Sequence, residues 1–395
     1  MIYFIIMIVF SPFTAVIPAV YATNLLFRKK LKVEMNYWNI GLFLLFLYSV
    51  FTGILNKDLL SLLASCGLFL YFGLNVFSQN YFTKMSRINK AINYIVYLSV
   101  IAAIGGIIEK IIFILMGMPQ HRIFSFFGNP NMTGAWFGNI ILMIFYLKYI
   151  NKDKRDSIIY NISIAIVVVA LLLTESSGAF IALVVSILIY YILKEKKDVR
   201  GLIAIFITVG LISIIFFMIQ NKVANTTPLG EIVTSFNSRC RTWFGAVNMV
   251  FEKPITGWGM LGMLQHGSNF VYSDQPELYN KIITFLVHPH NLWLTFLVTL
   301  GIVGLAIYLY IKFNLYKDMI NLYKKHNKML PLIAAMNTMV VVQGMVDCTL
   351  YAPQLGATFV CMGAITYNMA NDKMIKKVRF TKDDKKNCDK KDMVI

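Results

Sequence analysis

HPHNLWLTFLVTLGIVGLAIYLY (288–310) decides the fold class. After the two histidines and Asn291, no charged side chain appears until Lys312. An uncharged apolar run of about 20 residues matches the hydrocarbon thickness of a bilayer as a helix. The rest of the chain repeats the pattern. Of its 395 residues, 58% are hydrophobic and only 14% are charged, where soluble domains carry about 25%. The mean hydropathy is +0.65. Apolar segments fall at about 2–27, 38–55, 58–78, 91–117, 132–147, 157–174, 178–193, 201–220, 287–311, 331–350 and 352–370. Strands of a membrane barrel would alternate apolar and polar residues, and these runs do not. The expected fold is therefore an all-α polytopic membrane protein with about 11–12 transmembrane helices. Pro12 and Pro18 leave the first segment as either one kinked span or two short helices, and it lacks the basic leader of a cleaved signal.

The formal net charge of +18 could suggest nucleic acid, but its placement does not. Lys and Arg concentrate in alternate connections: 28–32, 84–90, 148–155, 194–200, 312–328 and the tail after Asp372. That alternation is the signature of cytoplasmic loops, so the charge sets orientation and no nucleic-acid partner is expected. The five cysteines, Cys66, Cys240, Cys348, Cys361 and Cys388, have no CxxC spacing and suggest neither a metal site nor a disulfide framework.

The remaining connections then lie outside, and the longest is 221–286. Within it, RTWFGAVNMVFEK (241–253) places Trp243, Val247, Val250 and Phe251 on one face of an interfacial helix. PITGWGMLG (254–262) reads as a glycine-rich turn. Four of five histidines, His121, His266, His288 and His290, fall on the outer face, with a few cations that include Arg122, Lys222, Arg239, Arg241, Lys253 and Lys281.

Cations on the side that topology disfavours fit binding of an anion, for which arginine offers a bidentate fork. Arg239 and Arg241, flanking Cys240, form the best pair, with Arg122 as a third candidate. His290 or Asn291 could cap the helix that starts at Leu292. His290 could equally be a general base, since imidazole titrates near neutrality, while His288 would orient or bind. FGNPNMTGAWFG (127–138) opens another span, with Asn131 as its expected cap and Gly134 and Gly138 allowing close packing. Glu109, Glu175 and Asp347 sit near outer ends of spans, where pairing or solvation accounts for an acid as well as function does.

GNPN (128–131), SRCRTW (238–243) leading into EKPITGWGMLG (252–262), and HPHNLWLTFLVTLGIVGL (288–305) occur in that order. Together they resemble the O-antigen ligase and polymerase superfamily over about residues 85–310. The resemblance implies a GT-C-like helical fold in the bacterial cytoplasmic membrane, with an extracytoplasmic active site. It implies a metal-independent glycosyltransferase with no cofactor, whose donor is an undecaprenyl-diphosphate-linked oligosaccharide and whose acceptor is a glycan or glycolipid. Other polysaccharide-assembly membrane proteins are candidate partners alongside the lipid bilayer. It makes Arg239 the diphosphate-holding residue and His290 the base; His288, Asn291, Asn131 and Glu175 are supporting candidates from the reading of the residues themselves. The chain departs from relatives that carry SRGA between the middle spans: here Ser177 stands in SSGA. A second cation, Arg241 or Arg122, would then be needed.

The corresponding organisation is 1–78 for N-terminal spans, 79–311 for the ligase or polymerase core, 312–370 for C-terminal spans and 371–395 for a basic tail. A chain rich in Ile, Lys and Asn, as from an AT-rich genome, tilts the reading toward a polymerase of surface polysaccharide, with a ligase as the alternative. A flippase or transporter of lipid-linked oligosaccharide would instead place charges within several spans and show an internal repeat.

Overall fold

The polar residues inside this protein and the isoleucines on its surface invert the usual order of a soluble core. The computed structural model describes residues 1–151, 153–194, 228–272, 279–280, 282–283 and 286–374, the side chains of 228–235 aside. Its helices are α1 (Ile2–Phe10), α2 (Ile17–Phe27), α3 (Tyr37–Leu55), α4 (Leu59–Tyr81), α5 (Met85–Leu115), α6 (Pro130–Ile150), α7 (Lys154–Leu173) and α8 (Ser177–Leu193). They continue with α9 (Pro228–Glu252), the short α10 (Gly262–His266), α11 (Leu292–Lys324), α12 (Leu330–Gln343) and α13 (Pro353–Ala370). Ile101, Ile104, Ile108 and Ile111 of α5 are exposed, whereas Asn39, Asn75 and Gln79 are buried and bonded to one another. That arrangement suits hydrocarbon as the solvent, because buried polar groups must find protein partners there. The all-α polytopic membrane fold expected from the sequence is the fold observed.

Six described helices, α3, α4, α5, α6, α7 and α11, are long and apolar enough to cross a membrane, and Thr14–Phe27, α8 and α12 are shorter apolar helices. The expected count of eleven or twelve is thus divided differently. The first segment is two short helices, interrupted around Pro12, with α2 packed on α4 and α1 on α5. Helix α13 is long enough but carries Gln354, Thr366 and Asn368 inward, which lowers its hydropathy. The expected span at 201–220, Lys222, Lys281 and the tail from 375 lie outside the described residues.

Local chemistry starts the helices where the sequence demands it. Asn36 caps α3, Asp58 caps α4, Ser176 caps α8 and Asn291 caps α11, each side-chain oxygen accepting a first-turn N–H. For α6 the cap is Asn129, not Asn131, because Pro130 occupies the first helical position and moves the start upstream. Helix α6 is the centre of the bundle: 78% of its most apolar window is buried. A side chain at Gly134 would meet Ala179 and Ser176, and one at Gly138 would meet Met339 and Leu183, so α8 and α12 can pack close to it.

The connections gather at two ends. At one end, Arg122 donates to the Thr174 carbonyl, Asn131 reaches Asp347, Asn291 reaches the Met345 carbonyl and Gln265 reaches Asp58. At the other, Asn368 reaches the Gln79 carbonyl, Lys325 pairs with Asp372, and Lys373 pairs with Glu34. These are the two sets of loops that the charge pattern separates.

Helix α11 is broken. Gly301 has φ 60° and ψ −164° inside it, so the helix is a nine-residue upper piece, 292–300, followed by a longer lower one. The break lies about 13 Å below Leu292. The backbone groups it frees are completed by the glycine-rich turn that follows α9. Trp258 N–H donates to the Val298 carbonyl at 2.8 Å, Gly259 N–H to Thr299 at 2.9 Å, and Ile302 N–H to Pro254 at 2.9 Å. A Cβ at Gly301 would lie 2.1 Å from the Ile255 carbonyl oxygen, and one at Gly257 would lie 2.6 Å from the Thr299 backbone. PITGWGMLG is therefore an insert that completes a broken helix rather than a surface turn.

Helix α9 packs on the upper half of α11, with Ala246 and Met249 against Val298. Its packed face is Thr242, Gly245, Ala246 and Met249, not the expected row from Trp243 to Phe251. Phe251 is 78% exposed and Phe244 74%, while Trp243, Val247 and Val250 are half-buried between the two faces. The row selected the larger apolar residues, whereas the packed face sets Gly245 against Phe270 and Val271 and sets Ala246 and Met249 against Val298.

Gly301→Val should lower the melting temperature of the purified protein by several degrees, because it combines a left-handed φ with a backbone clash; a residue in that conformation alone costs about 1–2 kcal/mol. Gly67→Ala, where the added Cβ meets nothing within 4 Å, should leave it unchanged or raise it. Equal melting temperatures for Gly301→Val and the unsubstituted chain would refute the account of the break.

Candidate active site

Asn291 settles which residue caps α11. Its Oδ1 accepts from Trp293 and Leu294 N–H at 3.0 Å each, and its Nδ2 donates to the Met345 carbonyl at 2.9 Å. His290 is thereby left with its ring available. It adopts φ 52°, an uncommon conformation for a side-chain-bearing residue. His288 supports it: the His290 N–H donates to His288 Nδ1 at 3.0 Å. Pro289 between them disfavours a helical turn at His288, so the pair enters α11 from an extended segment.

Both rings converge on Asp347, which follows the end of α12. His290 Nδ1 is 3.3 Å and His288 Nε2 3.6 Å from the same oxygen, Oδ1, of this 2%-exposed carboxylate. The Cys348 N–H also donates to Oδ1 at 2.8 Å, and Asn131 Nδ2 donates to Oδ2 at 2.9 Å. Burial by itself would raise the Asp347 carboxyl, but the hydrogen bond and charge of His290, the charge of His288 and the Cys348 N–H outweigh it and hold the carboxyl below the usual range.

His288, 7% exposed, moves the other way: burial dominates and, with help from His290 and against the pull of Asp347, brings it down to about 4. Its Nδ1 is the acceptor of the His290 amide, so the neutral ring carries its proton on Nε2, facing Asp347. By the same logic His290 directs Nδ1–H at Asp347 and leaves the Nε2 lone pair free to accept a proton. Carboxylate, oriented imidazole and an open Nε2 are the elements of a general base.

The three ligand-type atoms of His288, His290 and Asp347 lie within 4.8 Å of one another, a grouping that could hold a metal ion. The tautomer of His288 opposes that use. Its Nε2 would need a lone pair while Nδ1 carried the proton, yet Nδ1 is already taken as an acceptor.

The sequence candidates divide accordingly. Asn131 is the bridge: Gln343 Nε2 donates to its carbonyl at 3.0 Å, and Arg122 donates to its Oδ1 at 2.9 Å and to the Thr174 carbonyl at 2.9 Å. Arg122 therefore joins the connection before α6 to the His–Asp cluster. Glu175 pairs with Lys110 at 3.2 Å, and Lys110 also donates to the Pro119 and His121 carbonyls. Glu109 takes His121 Nε2 at 2.8 Å and the Phe124 and Ser125 N–H groups. The adjacent acid and base of α5 thus tie down the 116–129 connection, which supplies Arg122. Arg239 and Arg241 lie half-buried on α9, and Arg241 donates to the Tyr272 carbonyl at 3.3 Å. Lys253 stacks over the Trp258 ring at 4.0 Å.

Asp347 is the site residue that the sequence reading did not select. The available signal was an acid between two apolar segments; what was missing was its partner, 57 residues away along the chain.

A polytopic membrane protein with a buried carboxylate orienting an imidazole at the mouth of a broken helix is the class that fold and site define. Within it, residues 162–309 match the sequence model of the family described as O-Antigen ligase. The match contains the arginine pair of α9 and the His288–Asn291 motif, while GNPN (128–131) and Asp347 lie outside it. The resemblance read from the ordered motifs is thus borne out over that stretch. The chain is also 25% identical over 225 residues to a Rickettsia conorii protein that carries a polysaccharide-ligase name, an alignment covering 55% of this chain and 50% of that one. It is 26% identical over 232 residues to the ComP-specific O-oligosaccharyltransferase of Acinetobacter baylyi, covering 54% of this chain and 39% of the relative. The chain therefore spans half or less of the length of these curated relatives.

The depressed His288 ring has a testable sign. Between its ordinary value of 6.5 and about 4, the unfolded chain binds a proton that the folded one refuses. Stability from this group is complete above about pH 6.5 and is lost as pH falls toward 4. Thermal unfolding in nanodiscs should show a falling melting temperature over that window, and His288→Asn should flatten the fall. An unchanged slope in the variant would contradict the assignment.

Proposed function

We propose that this chain is a membrane glycosyltransferase that moves a glycan from an undecaprenyl-diphosphate carrier to a hydroxyl of an acceptor glycan or glycolipid, on the outer face of the bacterial cytoplasmic membrane. The observation that carries the proposal is the His290–Asp347 pair. In it a buried carboxylate fixes an imidazole with Nε2 open, at the end of the bundle that bears the few cations expected outside.

The acceptor oxygen attacks the anomeric carbon as its proton passes to His290 Nε2. The bond between that carbon and the diphosphate oxygen breaks, and the diphosphate leaves with the electron pair. Arg239 and Arg241 hold the diphosphate and stabilise the charge it gains. Asp347 stabilises the imidazolium, Asn131 positions Asp347, and Arg122 holds Asn131. His288 and Asn291 fix the backbone that presents His290, while Glu175 anchors the 116–129 connection through Lys110. Diphosphate is a good leaving group, so charge neutralisation and one proton acceptor suffice, without a metal or cofactor.

Within this reading, ligation takes first place. The family description and both relatives' names refer to ligation or oligosaccharide transfer to a separate acceptor. The polymerase reading, favoured by residue usage alone, becomes the second.

His290→Ala and Asp347→Asn should each reduce glycan transfer by about 10²-fold or more, the usual contribution of a positioned base, with expression unchanged. Arg239→Ala should raise the donor concentration required as well as slow the reaction. In the native host the surface glycan is resolved on a gel. Glycan of normal length left on the carrier identifies a ligase, and single repeat units left on the carrier identify a polymerase. Wild-type surface glycan in His290→Ala would overturn the mechanism.

A further inference from the structure

Lys312 of α11 is only 3% exposed, and no carboxylate among the described residues pairs with it. Its Nζ donates to Asn337 Oδ1 of α12 and lies 5.5 Å from the Tyr316 ring centre and 5.3 Å from that of Phe359. An ionisable group inside a membrane protein is costly, and it either pairs or faces a polar cavity.

Such a cavity adjoins it. Asn337 and Phe359 also border a space of ≈ 30 Å³ enclosed by α6, α11, α12 and α13. Its polar lining includes Asn139 of α6, about 14 Å below the first residue of that helix, while Asn337 lies about 11 Å above the first residue of α12. The cavity is therefore near the middle of the bundle, well below the histidine–aspartate cluster.

The donors around it are already engaged. Thr358 Oγ1 donates to the Gln354 carbonyl at 2.8 Å, and Thr366 Oγ1 to the Met362 carbonyl at 2.7 Å. Asn337 Nδ2 donates to the Tyr316 hydroxyl at 3.1 Å, and Asn139 Nδ2 to the Ala135 carbonyl at 3.0 Å. What is left over is an acceptor. Asn139 Oδ1, in a residue 5% exposed, has no hydrogen-bond partner among the described residues. A bare amide oxygen at that depth is unfavourable.

These groups select the ligand. An anion would meet the bare oxygen of Asn139, and a metal cation would meet the ammonium beside Asn337. Water is repelled by neither, because it donates and accepts. One water needs about 10–15 Å³ of such space, so the cavity has room for about two.

We infer that this cavity is a hydration site, whose water donates to Asn139 Oδ1 and links it to the Asn337–Lys312 pair. The hydrated contact joins α6 to α12 within the bundle, while the Asn131–Asp347 bond joins the same two elements at the site end. The inference needs no part of the proposed reaction.

The test is X-ray radiolytic footprinting of the full chain in nanodiscs, in which radicals formed from internal water oxidise the side chains beside it. Met336 and Met362 border the cavity and are 6% and 9% exposed, Met143 is equally interior at 1% and does not border it, and Met345 is 52% exposed. Met336 and Met362 should take up oxygen within a millisecond pulse and Met143 should not, with Met345 as the positive control. In H₂¹⁸O the label should be ¹⁸O. Asn139→Leu, which removes the bare oxygen and fills the space, should abolish uptake at Met336 and Met362 and leave Met345 unchanged. Uptake at Met336 and Met362 no greater than at Met143 in the parent protein overturns the proposal, whether or not the variant folds. Undiminished uptake in folded Asn139→Leu overturns it as well.

Discussion

A backbone that leaves its helix inside a bilayer must find every hydrogen bond within the protein, and α11 leaves its helix at Gly301. That requirement organises the end of the molecule where the histidines sit. Val298, Thr299 and Ile302 find their partners in the 254–259 insert, and the insert must therefore descend beside α11 to the depth of the break. Once there, its own groups are completed in turn: Tyr48 donates to the Ile255 carbonyl, Asn56 to the Gly257 carbonyl, and Trp258 Nε1 to the Met249 carbonyl. The 254–261 stretch is thus fastened to α3, α4 and α11 together. The two glycines at the contact, Gly257 and Gly301, are needed because backbone meets backbone there.

The upper piece of α11 is fixed at its other end as well. Leu292 N–H donates to the Gly344 carbonyl at 2.7 Å, and the Asn291 cap reaches Met345. These bonds bring the end of α12 against the start of α11, which is what places Asp347 beside His288 and His290. The carboxylate then has two hydrogen-bond donors on Oδ1, His290 Nδ1 and the Cys348 N–H, and one on Oδ2, with His288 Nε2 3.6 Å away. A carboxylic acid would have to give up at least one of them, so the donors stabilise the charged form despite burial. Removing one partner of such a buried network costs more than the pairwise bond, because the remaining charge stays desolvated.

The sequence shows some of this directly and hides the rest for physical reasons. Uncharged segments and the alternation of basic loops disclose a helical membrane protein and the two ends of its bundle, since both depend on local composition. His290 and Asn291 are legible because a cap and a helix start are local events. Asn129 was hidden by Asn131 because two asparagines flank Pro130, and only the first turn's geometry tells which one caps. The broken helix was concealed within HNLWLTFLVTLGIVGL: apolar periodicity passes through Gly301 unchanged, and the signal that the helix stops there lies some 45 residues earlier, in PITGWG. Asp347 was visible only as an acid between apolar spans. Its meaning depends on contacts with α11 and α6, and spacing along the chain carries no trace of them.

The break also explains how a strained residue, the proposed base His290, is held in place. A left-handed φ at His290 costs about 1–2 kcal/mol, which a mobile loop would relieve by changing conformation. Here the chain on its C-terminal side is a nine-residue helical piece anchored at both ends, and on its N-terminal side His288 accepts the His290 amide from within a buried cluster. Relaxing φ would release that amide bond and turn the imidazole off Asp347. The strain is retained because the alternative forfeits several hydrogen bonds at once. An unbroken α11 would have no exposed backbone to bind the insert, and the upper piece would lose its second anchor. Holding one imidazole in place at the membrane edge thus depends on a glycine about 13 Å below it.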